Sequence, residues 1–116
     1  MNNVNFDKED YAMLKDIAQE TNTHIAQRKN ESYFSRKYNG VTIAFKPMTQ
    51  HKDNRMLAVA VSYCAPEDKF KKKIGKYQAL YKLEDCQFIQ VPLGQYFLYF
   101  GPDDTAYYLL EMFDID

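Results

Sequence analysis

Five lysines crowd a stretch of eight residues, at Lys69, Lys71, Lys72, Lys73 and Lys76. Together they form a positive patch able to engage several phosphates and release their counterions. Tyr77 and Tyr81 follow closely, and tyrosine rings stack on the bases of single-stranded nucleic acid. The chemistry suggested is a small nucleic-acid-binding module built on a basic helix from Lys69 to Lys76. The plainer account is a solvated outer helix face, with Phe70, Ile74, Tyr77 and Tyr81 turned inward as the core stripe.

Cys64 lies just upstream. A cysteine before a helix N-terminus can hold a lowered pKa and act as a nucleophile, but catalysis would need a base such as His24 or His51 beside it. Neither histidine sits in a motif, and a cysteine ending a central strand is often a small buried hydrophobe. Cys64, Cys86, His24 and His51 lack the close pairing of a zinc knuckle. Asp103, Asp104, Asp114 and Asp116 lack the alternating ligands and central glycine of a calcium loop. The 4 glycines are scattered, so no phosphate-cradling loop exists. The expectation is no catalytic residue, no metal ligand and no cofactor.

Rings are the unusual component: 16% of the chain is aromatic, with 10 Tyr, 8 Phe and no Trp. Tyr96, Phe97, Tyr99, Phe100, Tyr107, Tyr108 and Phe113 exceed what one strand or helix buries on a single face. Along a strand, Tyr96, Leu98 and Phe100 would point one way and Phe97 with Tyr99 the other. Some rings are then left for a partner, since tyrosine is favoured at interfaces. Otherwise the first helix covers one side and the lysine helix the other. The partner-binding candidates are Lys69, Lys72, Lys73, Lys76, Tyr96, Tyr99, Tyr107 and Tyr108, facing another protein or a second copy of the chain.

The elements that must position these groups follow from period and punctuation. A helix is predicted from about Asp7 to Gln19, capped by Asp7, with Tyr11, Leu14, Ile17 and Ala18 on its apolar face. A strand from His24 to Arg28 is followed by a polar loop or ragged edge from Lys29 to Lys37. Asn39-Gly40 reads as a hairpin turn, because both residues tolerate positive φ. Val41 to Phe45 is a strand that Pro47 stops, and Gln50 to Arg55 is a charged loop. Met56 to Tyr63, apolar on both faces, is a central strand. Pro66 suits the first position of the lysine helix, with Glu67 and Asp68 complementing its dipole and regular helix ending near Leu80. Phe88 to Val91 is a further strand. The tail is either a hairpin across Gly101-Pro102 or a helix capped by Asp103 or Asp104, and Leu109 to Met112 favour the helix.

At 116 residues the chain is one domain, and 46% hydrophobic with 27% charged residues is a globular composition. A net charge of -1 counts against a dedicated nucleic-acid binder and against a strongly acidic mimic of DNA. No window is apolar enough for a membrane span, and no secretory leader is visible. Two distant cysteines fit a reducing cytoplasm. The fold class expected is α+β, a mostly antiparallel sheet of three to five strands packed by two or three helices.

The segment Cys64-x-Pro66-x-Asp68-x-Phe70-x-Lys72-Lys73-Ile74-Gly75-Lys76 resembles one that recurs in small uncharacterised accessory proteins of tailed bacteriophages. There too a strand ends in cysteine or serine, followed by an acid, a phenylalanine, basic residues and an Ile-Gly-basic step. The likeness covers about a quarter of the chain and breaks after Gly75, where Tyr77 and Tyr81 replace smaller residues. It implies a phage accessory protein made in the host cytoplasm. The expected function is non-enzymatic binding and inhibition of a host protein, such as a restriction, CRISPR or transcription component. The basic-helix nucleic-acid module is the competing expectation.

Overall fold

Side-chain size alternates along the two central strands, and that alternation sorts the helices onto opposite faces of one sheet. The computed structural model describes residues 5–30, 37–48 and 55–113. Its strands are β1 (His24–Lys29), β2 (Gly40–Pro47), β3 (Leu57–Cys64) and β4 (Ile89–Val91), and its helices α1 (Lys8–Glu20), α2 (Lys72–Glu84), α3 (Gly94–Phe100) and α4 (Pro102–Phe113). The sheet runs β1-β2-β3-β4, antiparallel throughout. The α+β expectation holds, with four helices in place of two or three.

On one face Thr42, Ala44, Ala58, Ala60 and Ser62 leave a shallow floor for α2, and α1 packs alongside through Tyr11, Leu14 and Ala18. On the other, Val41, Ile43, Phe45, Leu57 and Val59 meet α3 and α4. Burying each large aliphatic or aromatic side chain contributes about 1.5–3 kcal/mol, an alanine far less. The sheet therefore supplies most of the apolar surface on the α3–α4 side, and the helices supply it on the α1–α2 side. The alternative in which α1 and the lysine helix cover opposite sides of the aromatic segment does not occur, since both lie on one face of the sheet. They share a side because only the small-residue face admits α2 closely.

Gly75 marks the closest approach. A Cβ there would collide with Thr42 Oγ1 and come within 3.1 Å of Gln27 Nε2. The helix interior tolerates glycine, at about 1 kcal/mol against alanine, because the crossing needs the space. Gly40 is used the same way. It opens β2 opposite Lys29 and Cys64 and does not form a hairpin turn, and a Cβ on it would lie within 2.8 Å of the Phe70 ring. Asn39-Gly40 is thus a strand entry; the connection from β1 passes through 31–36, outside the described residues, as is the expected loop from Gln50 over 50–54.

The α1 cap is as expected: Asp7 accepts from the backbone N–H of Glu9 and Asp10. The lysine helix starts later than Pro66. Residues Ala65 to Asp68 form a turn, Asp68 N–H donating to Ala65 O at 3.1 Å, and Asn39 Nδ2 donates to the carbonyls of Pro66 and Asp68. Proline's fixed φ suits the second position of such a turn as well as a helix start. Helix α2 continues past Leu80 to Glu84 and buries Tyr77, Ala79, Leu80 and Leu83, so Leu80 and Leu83 replace Phe70 in the core stripe. The strand expected from Phe88 is confined to Ile89–Val91. The tail is two helices joined at Gly101, whose φ of 90° reverses the chain before Pro102. Asp103 and Asp104 sit inside the first turn of α4 rather than at its cap.

Two outcomes follow. Gly75→Ala gains helix propensity but overpacks Thr42, and is expected to destabilise the protein by about 1–2 kcal/mol in urea unfolding. In a Thr42→Ala background the same change should cost far less, because the colliding oxygen is gone. Tyr77, 2% exposed, donates to Asp10 Oδ2 at 2.8 Å. Burial first, then that bond and the charge of Asp10, push its phenol from 10.0 up to about 12. The folded pKa is raised, so the associated stability is complete below pH 10 and is lost as pH climbs toward 12. Tyr77→Phe should reduce the slope of stability against pH across that window by close to one proton.

Candidate functional site

The outermost layer, α3 and α4, carries the largest exposed apolar surface among the described residues. Helical period places Thr105, Leu109 and Leu110 of α4 against the sheet. Tyr107, Tyr108, Glu111 and Met112 are thereby turned outward around a shallow depression. In α3 only Gly94 and Phe97 are buried, Phe97 lying edge-on to Phe45 with centroids 6.2 Å apart. Tyr99 is 84% exposed, Tyr107 64%, Leu98 62% and Phe100 52%. The strand alternation expected for 96–100 does not occur, because the segment is helical.

These rings form a connected group rather than scattered tips. Half-buried Tyr96 bridges the helices, 4.6 Å from Phe100 and 5.4 Å from Tyr108, and Tyr99 lies 4.8 Å from Phe100. Polar contacts tie the layer to the sheet. Arg28 pairs with Glu111 at 3.0 Å and lies 5.8 Å from the Tyr107 ring, while Tyr63 donates to Phe113 O at 2.8 Å. Asp103 and Asp104 lie one helical turn before Tyr107 and Tyr108, with Glu111 one turn beyond, so acids flank the rings on the outer stripe of α4.

The lysines occupy the other side of the sheet. Lys69 lies in the segment before α2, Lys71 at its N-cap, and Lys72, Lys73 and Lys76 on the helix itself. No side chain caps α2, and cations gather where its dipole disfavours them. Tyr77 is buried in the core and Tyr81 is half-buried, so the rings expected to stack on bases beside these lysines are used for packing. Sheet and core thus separate the four candidate tyrosines from the four candidate lysines.

Cys64 is not at a helix N-terminus, because seven residues intervene before α2. Its thiol makes long contacts to the carbonyls of Ala65 and Asp68, at 3.6 and 3.5 Å. Burial, then the charges of Asp68 and Glu67, raise its pKa, which disfavours the thiolate. His24 contacts Asn22 Oδ1 at 2.9 Å and rests against Phe45 and Phe97, on the α3 side of the sheet's far end. His51 lies outside the described residues. Cys86 is exposed, at φ 59° in the turn after α2. Among the described residues no group of three or more metal-ligating side chains forms, and no helix is long and apolar enough to cross a membrane.

Three members of the exposed surface were missing from the expected set: Leu98, Phe100 and Met112. One signal marks the part of the chain that holds them. From Leu83 to Asp116 the chain has seven acidic residues and no lysine or arginine. A near-neutral total conceals that asymmetry. Compared with protein-family models, with curated proteins and with solved structures, the chain matches none.

The two thiols should separate chemically. Reaction with Ellman's reagent at neutral pH is expected to show one fast and one slow cysteine. Cys86→Ser should abolish the fast phase, leaving a slow Cys64 that accelerates with rising pH. A fast Cys64 at neutral pH would restore the nucleophile reading.

Proposed function

We propose that this chain is a non-enzymatic binding protein that docks another protein through the outer face of α3 and α4. The observation that carries the reading is the exposure of Tyr99, Leu98 and Phe100 on α3 and of Tyr107 on α4, each more than half exposed, with Phe100 joined through Tyr96 to Tyr108. A contiguous aromatic surface of this kind is unusual on a monomer and marks an interaction site. Tyr96 and Tyr108 extend it, and Met112 supplies an adaptable edge.

The chemistry of the partner follows from the charges. Asp103 and Asp104 accompany the rings with no cation from α3 or α4, while Glu111 and the Tyr107 ring are engaged by Arg28 of β1. A basic protein surface offering arginine or lysine is complementary, gaining cation–π contacts with the tyrosines as well as opposite charge. The resemblance to phage accessory proteins supports a bacterial host protein in the cytoplasm as that partner. Basic surfaces are characteristic of proteins that handle nucleic acid, which restriction, CRISPR and transcription components do. Binding there would inhibit by occupying the site. The lysine side of the molecule keeps nucleic-acid binding as the second reading, favoured by the cationic, uncapped start of α2.

The test is capture from bacterial lysate by the immobilised full chain, beside a Tyr99→Ser/Tyr107→Ser variant. A stoichiometric, basic partner is expected for the unchanged chain, with affinity at least about tenfold lower for the variant and falling with salt. Equal capture by both would remove the docking face. Self-association that the same two substitutions abolish would assign the face to a second copy instead. Retention on DNA that weakens on neutralising Lys72 and Lys73 would favour the second reading.

A further inference from the structure

On the opposite side of the sheet from the aromatic face, the strand-to-helix unit borders a half-open cavity of about 320 Å³, within the size range of small-ligand sites. Three polar side chains line it where alanine or valine would pack a helix against a sheet as well. Thr42, with no exposed surface, pairs across the strands with Ser62, and Gln78 reaches down from α2. Gly75 borders the same space and packs directly over the Thr42 hydroxyl, so of the three only Gln78 is half-exposed at the pocket.

Hydrogen-bond accounting shows what these groups still offer. Ser62 Oγ donates to Gln78 Oε1 at 2.8 Å, so the Gln78 amide hydrogens are uncommitted among the described residues. Thr42 Oγ1 accepts from Gln27 Nε2 at 2.9 Å, and its own hydrogen has no acceptor among the described residues. The half-buried Gln78 amide, its oxygen held by Ser62, therefore presents its donor hydrogens to the pocket, and such donors ordinarily find acceptors. Lys69 and Lys71 add two positive charges to the wall against the single carboxylate of Asp68. Phe70 and Ile74 supply the apolar part of the lining.

We infer that this cavity binds a small organic oxyanion, a carboxylate or a phosphate monoester carried on an apolar body about the size of one ring. The oxyanion accepts from the Gln78 amide and is neutralised by Lys69 and Lys71, while the body lies against Phe70 and Ile74. The site uses different residues from the docking face and stands or falls separately from it. It also gives a use to the lysines crowded at the start of α2, where dipole and mutual repulsion both oppose them.

The experiment is titration of the isotope-labelled full chain followed by backbone and side-chain amide resonances. Four probes are compared: benzoate, phenyl phosphate, benzyl alcohol and inorganic phosphate. Expected are saturable shifts at Thr42, Ser62, Gly75 and the Gln78 side-chain amide with at least one of the two aromatic anions. That anion should bind about tenfold or more tightly than benzyl alcohol or inorganic phosphate, and which of the two wins separates carboxylate from phosphate. Lys69→Gln/Lys71→Gln, at exposed positions, should weaken the anion several-fold and leave benzyl alcohol unchanged. Gln78→Glu, which keeps the shape and the bond from Ser62 but replaces the donor by a negative charge, should weaken it too. Absence of saturable shifts at these positions overturns the site. So does equal binding of the neutral alcohol, of inorganic phosphate alone, or of the wild type and the lysine variant.

Discussion

The structure depends on an inequality between the two faces of its sheet. Small side chains on β2 and β3 (Thr42, Ala44, Ala58, Ala60 and Ser62) let α2 settle against the backbone, with Gly75 directly over Thr42. Large ones (Val41, Ile43, Phe45, Leu57 and Val59) fill the space beneath α3 and α4. Because strand side chains alternate with period two, a one-residue slip would exchange the sets and leave neither helix layer a surface that fits. Register, helix placement and core therefore rest on one pattern.

That pattern also decides what each side of the molecule leaves outside. The α1–α2 side is thick: two helices pack on each other and on the sheet, and the rings of Phe6, Tyr11 and Tyr77 close the gap between them, 5.4 to 6.1 Å apart. The α3–α4 side is a single layer. Its inner faces are consumed by the sheet, so every ring beyond Phe97 and the half-buried Tyr96 and Phe113 faces solvent. Helices α3 and α4 carry acids and no cation, while lysines gather at the start of α2. A surface rich in tyrosine and acid on one side, and a donor-lined cavity beside ammonium groups on the other, are different recognition chemistries. The sheet keeps them apart.

Much of the architecture could be read along the chain. Asp7 before an amphipathic period gave α1 to within a residue, and the unbroken apolar run from Met56 placed β3 inside the sheet, between β2 and β4. The misreadings share a cause: the same residue answers two physical demands. Glycine at Gly40 supplies room for the Phe70 ring, not a positive φ. Pro66 has the φ of a helix start and serves a turn. The aromatic density from Tyr96 to Phe100 raised strand propensity, yet Phe97 anchors a short helix on Phe45. Lack of a Cβ, a fixed φ and a large ring are local properties; the purpose of each depends on a neighbour far away in sequence.

Composition and spacing by themselves determined the class of fold, the surplus of rings and the scattering of reactive groups, because these depend on residue type and short-range period alone. They also held the charge asymmetry after Lys82. Only the tertiary structure decided which rings are spent in the core and which are offered outward. It separated His24 from Cys64, buried Tyr77, and gathered Thr42, Ser62 and Gln78 around one cavity. Those outcomes are set by contacts between residues from fifteen to nearly seventy positions apart, which no local pattern encodes.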